Sequence, residues 1–392
     1  METTPQASDL GDGPITSPPD ILTMRRFITT LIMHLTLAVS SPFFVQAQPL
    51  IRESHDIALI GAPSLPGMLA VTMLQGSSGS VIRFLDLENH KVLAFSAPLQ
   101  QVGYPSFSVD GESVAFVGMT RRGNEVFTSP WNGGKVNQIT FNGVNDGNPS
   151  WSVEGDAVIH FSENRRYKSE IYSSLVEAPF TRRQLTKVGG GNTTPHVSPD
   201  NRYLLYSTDR YAPAWNVCIK DLHSQEESCP FRAGNASNCR ANWSPDGSRF
   251  VFTLQRGSSF DLYLYSPTTH KKRRLTSLSH KAYDAVWSPD GEYIAFAHDS
   301  TGQLTYTIKV VRLRDKAVIP VAKAVGSLRY LSWTTARPYT VAADLCPKDR
   351  HKTKPGVCGC GLADTDSDKD TIPDCIDGCP KNPKKHHARS CN

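Results

Sequence analysis

A bulky or apolar residue returns along this chain at nearly constant spacing. Phe107, Trp151, Val197, Trp243, Trp287 and Trp333 are separated by steps of 44, 46, 46, 44 and 46 residues. Five of them open one turn signature: Ser108-Val109-Asp110-Gly111, Ser152-Val153-Glu154-Gly155, Ser198-Pro199-Asp200-Asn201, Ser244-Pro245-Asp246-Gly247 and Ser288-Pro289-Asp290-Gly291. A period in this range, with a turn at a fixed offset, marks small sheets stacked as a β-propeller. A repeat array also accounts for 392 residues without splitting them into several globular domains.

Each unit reads as four short strands. In the fifth, Ala285-Val286-Trp287 is the first, Tyr293 to Ala297 the second, Thr307 to Val311 the third and Ala317 to Ile319 the fourth. Between the first two, proline presets φ at the second turn position, Asp follows and Gly closes the turn, as a type I geometry requires. A four-stranded sheet hides its faces only against neighbouring sheets, so the anchors are expected in the core between units. Leu331-Ser332-Trp333 restarts the motif but lacks the turn and the second strand. The missing strands lie at the start, as Met68 to Met73, Val81 to Leu85 and Lys91 to Phe95. Joining the two ends removes open sheet edges. The expectation is an all-β, six-bladed propeller closed by N- and C-terminal strands that share one blade.

Trp243 to Gly247 with Val251-Phe252, and Trp287 to Gly291 with Ala295-Phe296, resemble the WD40-like repeat of the TolB family. The similarity runs over roughly residues 65 to 335. It implies a propeller that works in the periplasm or outside the cell as a binding scaffold. Residues 48 to 66 are too few for the mixed α/β domain that precedes the propeller in TolB itself.

The flanks point to export. Residues 1 to 23 have neither periodicity nor apolar content and are expected to be disordered or to precede the true start. From Met24, Arg25-Arg26 forms a basic flank, Phe27 to Val39 a short apolar stretch, and Val45-Gln46-Ala47 a small-residue cleavage pattern. Residues 24 to 47 therefore read as a signal peptide, too short and too interrupted for the roughly 20 apolar residues of a membrane span. No stable span is expected after cleavage. The remaining chain carries 40 basic and 33 acidic side chains, a net charge of +7. That excess is mild and scattered, which argues against a nucleic-acid surface.

Nine cysteines are present. Cys218, Cys229 and Cys239 lie in the repeats; the other six crowd the region from residue 344 to residue 392. The dense group fits an oxidising compartment and disulfides better than zinc, since no paired Cys-x-x-Cys knuckle accompanies it. Cys218 and Cys229 flank a hairpin turning near His223-Ser224, a candidate cross-strand disulfide with Cys239 left over. Asn192-Thr193-Thr194, Asn235-Ala236-Ser237 and Asn242-Trp243-Ser244 match the glycosylation acceptor pattern.

The stretch from 344 to 392 forms a separate tail in which Asp364, Asp366, Asp368 and Asp370 alternate, followed by Asp374 and Asp377. Short carboxylates at every second position converge on one hard cation when the backbone curls tightly. With Asp366 as the first ligand of an EF-type loop, Asp368, Asp370, the Ile372 carbonyl, Asp374 and Asp377 take the later ligand places. Thr371 stands where Gly is expected. The same residues with Cys379 resemble a thrombospondin type 3 repeat, whose members bind calcium through these aspartates. The competing reading is a solvated acidic linker.

Catalytic signatures are weak. Gly76-Ser77-Ser78-Gly79-Ser80 lacks the final Gly of a nucleophile elbow, and the twelve histidines include no His-x-x-x-His pair. His196, beside an anchor, is expected to be packed or channel-lining. The favoured function is a non-catalytic scaffold that takes a protein or peptide over the channel mouth. Candidate contacts are Tyr104, Asn145, Asp146, Asn192, Arg240, Tyr283, Asp284, Arg329 and Tyr330, aromatic, cationic and polar groups expected just before each first strand. A hydrolase or lyase acting in the channel, and a structural cell-surface or matrix component, are the alternatives.

Overall fold

The structure is a computed structural model. It describes residues 50–335, except 61–64, 77–78, 164–167, 212, 232–235 and 304, and in the tail residues 363, 365–369, 374 and 381. The signal-peptide reading of 24–47, the candidate ligands Asp364, Asp370 and Asp377, and the tail cysteines lie outside the described residues. Among the described residues there are 26 strands and no α-helix, and no helix long and apolar enough to cross a membrane.

The strands follow the repeat. Three units are separate four-stranded antiparallel meanders, starting at Val102–Phe107, Asp146–Trp151 and Asn192–Val197. The next two, starting at Asn238–Trp243 and Lys281–Trp287, belong to one sheet, joined by a single parallel pairing of Phe260 with Lys281. In the last sheet Ser327–Thr334 pairs antiparallel with Met68–Leu74, Trp333 standing opposite Leu69. Chain ends thus complete one sheet. Successive first strands lie side by side, and Ser327–Thr334 lies beside both Lys281–Trp287 and Val102–Phe107, which closes the cycle.

The anchors sit between units. Trp243 packs with Leu205 and Val217 of the preceding unit, and Trp287 with Val251, Leu262 and Leu275. Trp151 meets Ala115, Val126 and Ile139 in the same way. Each indole also needs a hydrogen-bond acceptor when buried. Trp151 Nε1 donates to the Ser106 carbonyl at 2.9 Å, Trp287 Nε1 to that of Asn242 at 3.1 Å, and Trp333 Nε1 to that of Pro66 at 2.7 Å. Trp151 and Trp287 therefore bond the preceding unit through both the apolar face and the one polar atom, whereas Trp333 bonds the start of its own sheet and Trp243 Nε1 is buried without an acceptor.

The turn signature is a self-satisfied unit. Ser244 Oγ donates to Asp246 Oδ1, accepts from the Arg249 N–H, and lets the strands diverge behind Gly247 at φ +67°. Where the third signature has Asn201 in place of Gly, φ is +58°, a left-handed conformation that Asn tolerates. In the second unit Glu154 stands at the Asp position, and Ser152 Oγ turns to Asp156 instead.

Two short strands add a clasp that the repeat does not predict. Leu50–Glu53 pairs with the outer strand Lys91–Ser96, and Ile57–Leu59 pairs with the outer strand Val318–Ala324. Between them Asp56 accepts from Arg83 Nε at 2.8 Å and from Ser54 Oγ at 2.6 Å. The clasp covers the outer edges of the two units that meet at the closure. In the third unit Cys218 and Cys229 form a disulfide across the expected hairpin, and Cys239 has no disulfide partner among the described residues.

Removing one anchor should loosen two units at once. Trp287→Ala is expected to cost about 3–5 kcal/mol, whereas Val109→Ala, at a side chain 54% exposed, should stay within about 0.5 kcal/mol of the native chain. Urea unfolding followed by tryptophan fluorescence, with circular dichroism as a second probe, measures both.

Candidate functional site

Every first strand breaks register three residues before its anchor. The shifts fall between Gly103 and Ser106, Gly147 and Ser150, Thr193 and His196, Cys239 and Asn242, Tyr283 and Val286, and Arg329 and Ser332. Within each break one residue is left-handed: Tyr104 (φ 54°), Asn148 (47°), Thr194 (51°), Arg240 (56°), Asp284 (57°) and Tyr330 (53°). None is glycine. Left-handed backbone costs an L-residue roughly 1–2 kcal/mol, and a β-branched residue such as Thr194 is especially resistant. Strain repeated at one position of every unit points to a site, because bulges re-aim side chains where function needs them.

The freed backbone groups are compensated. The Tyr104 N–H donates to Thr72 Oγ1 at 2.9 Å, the Arg240 N–H to Ser207 Oγ at 2.9 Å and the Tyr330 N–H to Asp284 Oδ2 at 3.0 Å. All six left-handed residues line one axial cavity of about 600 Å³. Its far rim is built from Val109, Val153, Pro199, Pro245 and Pro289, the second turn positions of five units. The rim is apolar, and Val109, Pro199 and Pro245 are exposed.

Charge is concentrated on one side. Asp284 accepts from Arg240 Nη1 at 2.6 Å and from Arg329 Nε at 2.5 Å. Burial alone would raise the Asp284 carboxyl, and the two guanidiniums outweigh it and hold it at about 2. Tyrosine rings surround the cluster. Tyr104 and Tyr330 stack with centroids 3.9 Å apart. Arg240 lies 5.3 Å from the Tyr330 ring centre, and Arg329 lies 4.5 Å from that of Tyr306 and 5.1 Å from that of Tyr283. Burial pushes the Tyr104 hydroxyl up, aided by Tyr330, and pushes the His196 imidazole down to about 4. At neutral pH the wall therefore holds an ionised Asp284, charged arginines, a neutral His196 and a neutral Tyr104.

Of the residues singled out in the sequence, Tyr104, Arg240, Asp284 and Tyr330 line the cavity. They stand inside the first strands, deeper than the strand entrances at which the mouth was expected. Tyr283 and Arg329 back the cluster without lining the cavity. Asn148 and Thr194 were missed, although they occupy the same offset from Trp151 and Val197. Asn145 is on an exposed loop, where its Nδ2 donates to Glu163.

Asp146 and Asn192 instead turn into the body of the sheets. Fully buried Asn192 donates to the carbonyls of Ser169 and Gly189 at 2.8 and 3.0 Å and to Glu170 Oε2 at 3.2 Å. That burial removes it as a glycan acceptor in the folded chain. Glu170 in turn accepts from Thr186 Oγ1 and the Gly189 N–H. In the preceding unit Glu125 makes the same contacts with Thr140 and the Gly143 N–H. The residue beside it, however, is Asp146. Two buried carboxyl groups meet where the next unit pairs amide with carboxylate. Burial first, then the Asp146 charge, pushes the Glu125 carboxyl up to about 7. His160 Nδ1, 3.9 Å from Asp146 Oδ1, lies against the Phe161 carbonyl, and its Nε2 meets Ser174 Oγ at 2.9 Å.

A metal-competent grouping among the described residues is Cys218, Glu227 and Cys229, but its two sulfurs are bonded to each other. In the tail, the Asp374 carboxylate accepts from Ser367 N–H and Oγ at 2.8 and 2.6 Å, and Asp366 Oδ1 from the Lys369 N–H at 2.7 Å. The Asp374 N–H returns to the Thr365 carbonyl at 2.7 Å. Asp366, Asp368 and Asp374 thus belong to one tight loop, whose left-handed residue is Lys369 at φ +63°.

Comparison with known proteins places the architecture. No family model matches the chain. It is 26% identical over 156 residues to the Tol-Pal system protein TolB of Francisella tularensis, covering 39% of this chain and 35% of that protein. It is 35% identical over 108 residues to an uncharacterised peptidase, YuxL, of Bacillus subtilis, covering 26% of this chain and 16% of that protein. The chain thus spans well under two thirds of either relative. The crystal structure of TolB from Acinetobacter baumannii superposes with a TM-score of 0.59 at 17% identity, over 68% of this chain and 66% of that one. The repeat region is a TolB-like propeller fold.

The Glu125–Asp146 contact makes stability depend on pH. The folded chain holds a proton on Glu125 up to about pH 7, whereas an unfolded Glu releases it near 4.5. Its contribution is therefore complete below 4.5 and is lost as pH rises through 7. Asp146→Asn, which copies Asn192, is expected to remove the share of that loss due to the Asp146 charge and to leave the share due to burial. Thermal melts at pH 5 and pH 8 should show a smaller gap for the variant than for the native chain.

Proposed function

We propose that this protein is an exported six-bladed propeller that acts as a non-catalytic scaffold, taking a segment of a protein partner into its axial cavity. The blade count rests on the closed cycle of first strands and on the anchors between them. The binding reading rests above all on one observation, the strained ring of left-handed residues aimed into a single cavity. Tyr and Arg are residue types enriched at the energetic centres of binding surfaces. The titratable groups favour binding over proton transfer. Asp284 and His196 are pushed down and Tyr104 up, away from the neutral range in which a general acid or base works. Likeness to a Tol-Pal system protein and the leader-like stretch at 24–47 support work in the periplasm or beyond it.

Photo-crosslinking tests this directly. A photoreactive residue at Val109 on the cavity rim is expected to trap a protein partner in the cell envelope, and one at Phe180, 73% exposed and outside the cavity wall, is not. Changing Tyr104 and Tyr330 together to Ala should abolish the adduct. Equal trapping from both positions, or an adduct indifferent to the tyrosines, would refute the reading.

The tail is read as a calcium site. Asp366, Asp368 and Asp374 offer hard oxygen donors within one loop, the donor class that calcium takes; the alternation of aspartates adds Asp364, and the resemblance to thrombospondin type 3 repeats adds Asp370 and Asp377. Calcium would neutralise the crowded carboxylates and fix the loop. Calorimetry on the mature chain is expected to show calcium uptake by millimolar concentration, and Asp366→Ala with Asp368→Ala should eliminate it; no heat in the native chain would sink the assignment.

A further inference from the structure

The charged cluster in the cavity wall is not neutral. Arg240 and Arg329 share the single carboxylate of Asp284, and that carboxylate has no capacity to spare. Its Oδ1 takes Arg240 Nη1 and, at 3.4 Å, Arg329 Nη2, and its Oδ2 takes both Arg329 Nε and the Tyr330 N–H. Among the described residues the Arg240 side chain makes its one hydrogen bond through Nη1, leaving the rest of its donor fork unused. His196 and Tyr104, which also line the wall, carry no charge at neutral pH. One positive charge is left over in an enclosed, tyrosine-lined space, where an uncompensated ion is costly. On the same ring Asn148 accepts from Thr193 with its Oδ1, so its amide N–H₂ is free to donate into the cavity.

We infer that the cavity is a carboxylate receptor: a peptide entering it places a carboxylate on the unused fork of Arg240, beside the stacked Tyr104 and Tyr330. A planar guanidinium matches a carboxylate in two parallel hydrogen bonds. The tyrosine pair supplies a flat apolar surface for the residue that carries or precedes the acid. The carboxylate comes from a chain terminus or from an Asp or Glu side chain. This inference rests on the cavity being a peptide receptor and specifies the group it selects.

The test uses three pools of random hexapeptides on the full chain: one ending in a free carboxylate and lacking Asp and Glu, one amidated and containing Asp and Glu, and one amidated and lacking both. Retention of either acidic pool above the third is expected, and the pool retained names the source of the acid. Arg240→Asn, which keeps a residue suited to left-handed backbone, should weaken retention about tenfold, the value of a charged hydrogen bond. Asp284→Asn frees the second arginine and should strengthen it. A variant that had merely misfolded would lose binding in both cases, so opposite signs report the charge balance. Equal retention of all three pools, unmoved by either substitution, overturns the carboxylate receptor and leaves the peptide reading intact. Retention of none overturns both.

Discussion

Each sheet in this molecule has two apolar faces and only neighbouring sheets to hide them. That constraint explains why the large anchor recurs, why it sits between units, and why its indole nitrogen reaches back to the preceding first strand. A buried indole N–H usually finds an acceptor, as at Trp151 and Trp287; Trp243 Nε1, buried without one, is the exception. The Ser-Pro-Asp-Gly turn does the complementary job locally, satisfying its own polar groups so that the strands behind it can leave at a fixed angle. Core and turn are one repeating device.

The site is built on the same period as the core. A bulge three residues before each anchor turns one side chain per unit toward the axis, and the packing behind it keeps the backbone in a conformation that most residues avoid. Because the scaffold enforces the position, the side chain there is free to differ between units. Tyrosine, asparagine, threonine, arginine and aspartate all occupy it. Chemistry gathers on the sector from Arg240 through Tyr330 to Tyr104, while the apolar rim of prolines and valines runs around the opposite end.

Much of this was legible in the residues. Spacing of the anchors located the units, and the strands of the fifth agree with the expected ones to within a few residues, as in Tyr293–Asp299. The closure by Leu331-Ser332-Trp333 could be read because the motif restarts without its turn. Four of the axial residues were recognisable by type, being aromatic or charged. Asn148 and Thr194 were not, since small polar residues look like ordinary strand ends until the offset from the anchor is imposed. Asp146 and Asn192 lie the other way: their polarity suggested a surface, but five residues before the anchor the side chain is buried against the acid of the preceding unit, Glu125 or Glu170. The clasp at Leu50–Leu59 carried no signal, because three- and four-residue strands are too short to show alternation.

The pairing of Ser327–Thr334 with Met68–Leu74 has a kinetic side. Trp333 and the Pro66 carbonyl it bonds are 267 residues apart in the chain, whereas the internal units are local hairpins that can form as soon as their own strands exist. Ordering so distant a contact is entropically costly and slow. Until it forms, Met68–Leu74 presents an unpaired, buried-type edge to whatever strand arrives first. A second copy carries the matching Ser327–Thr334, so two molecules caught at that stage can complete each other by exchanging their final strands.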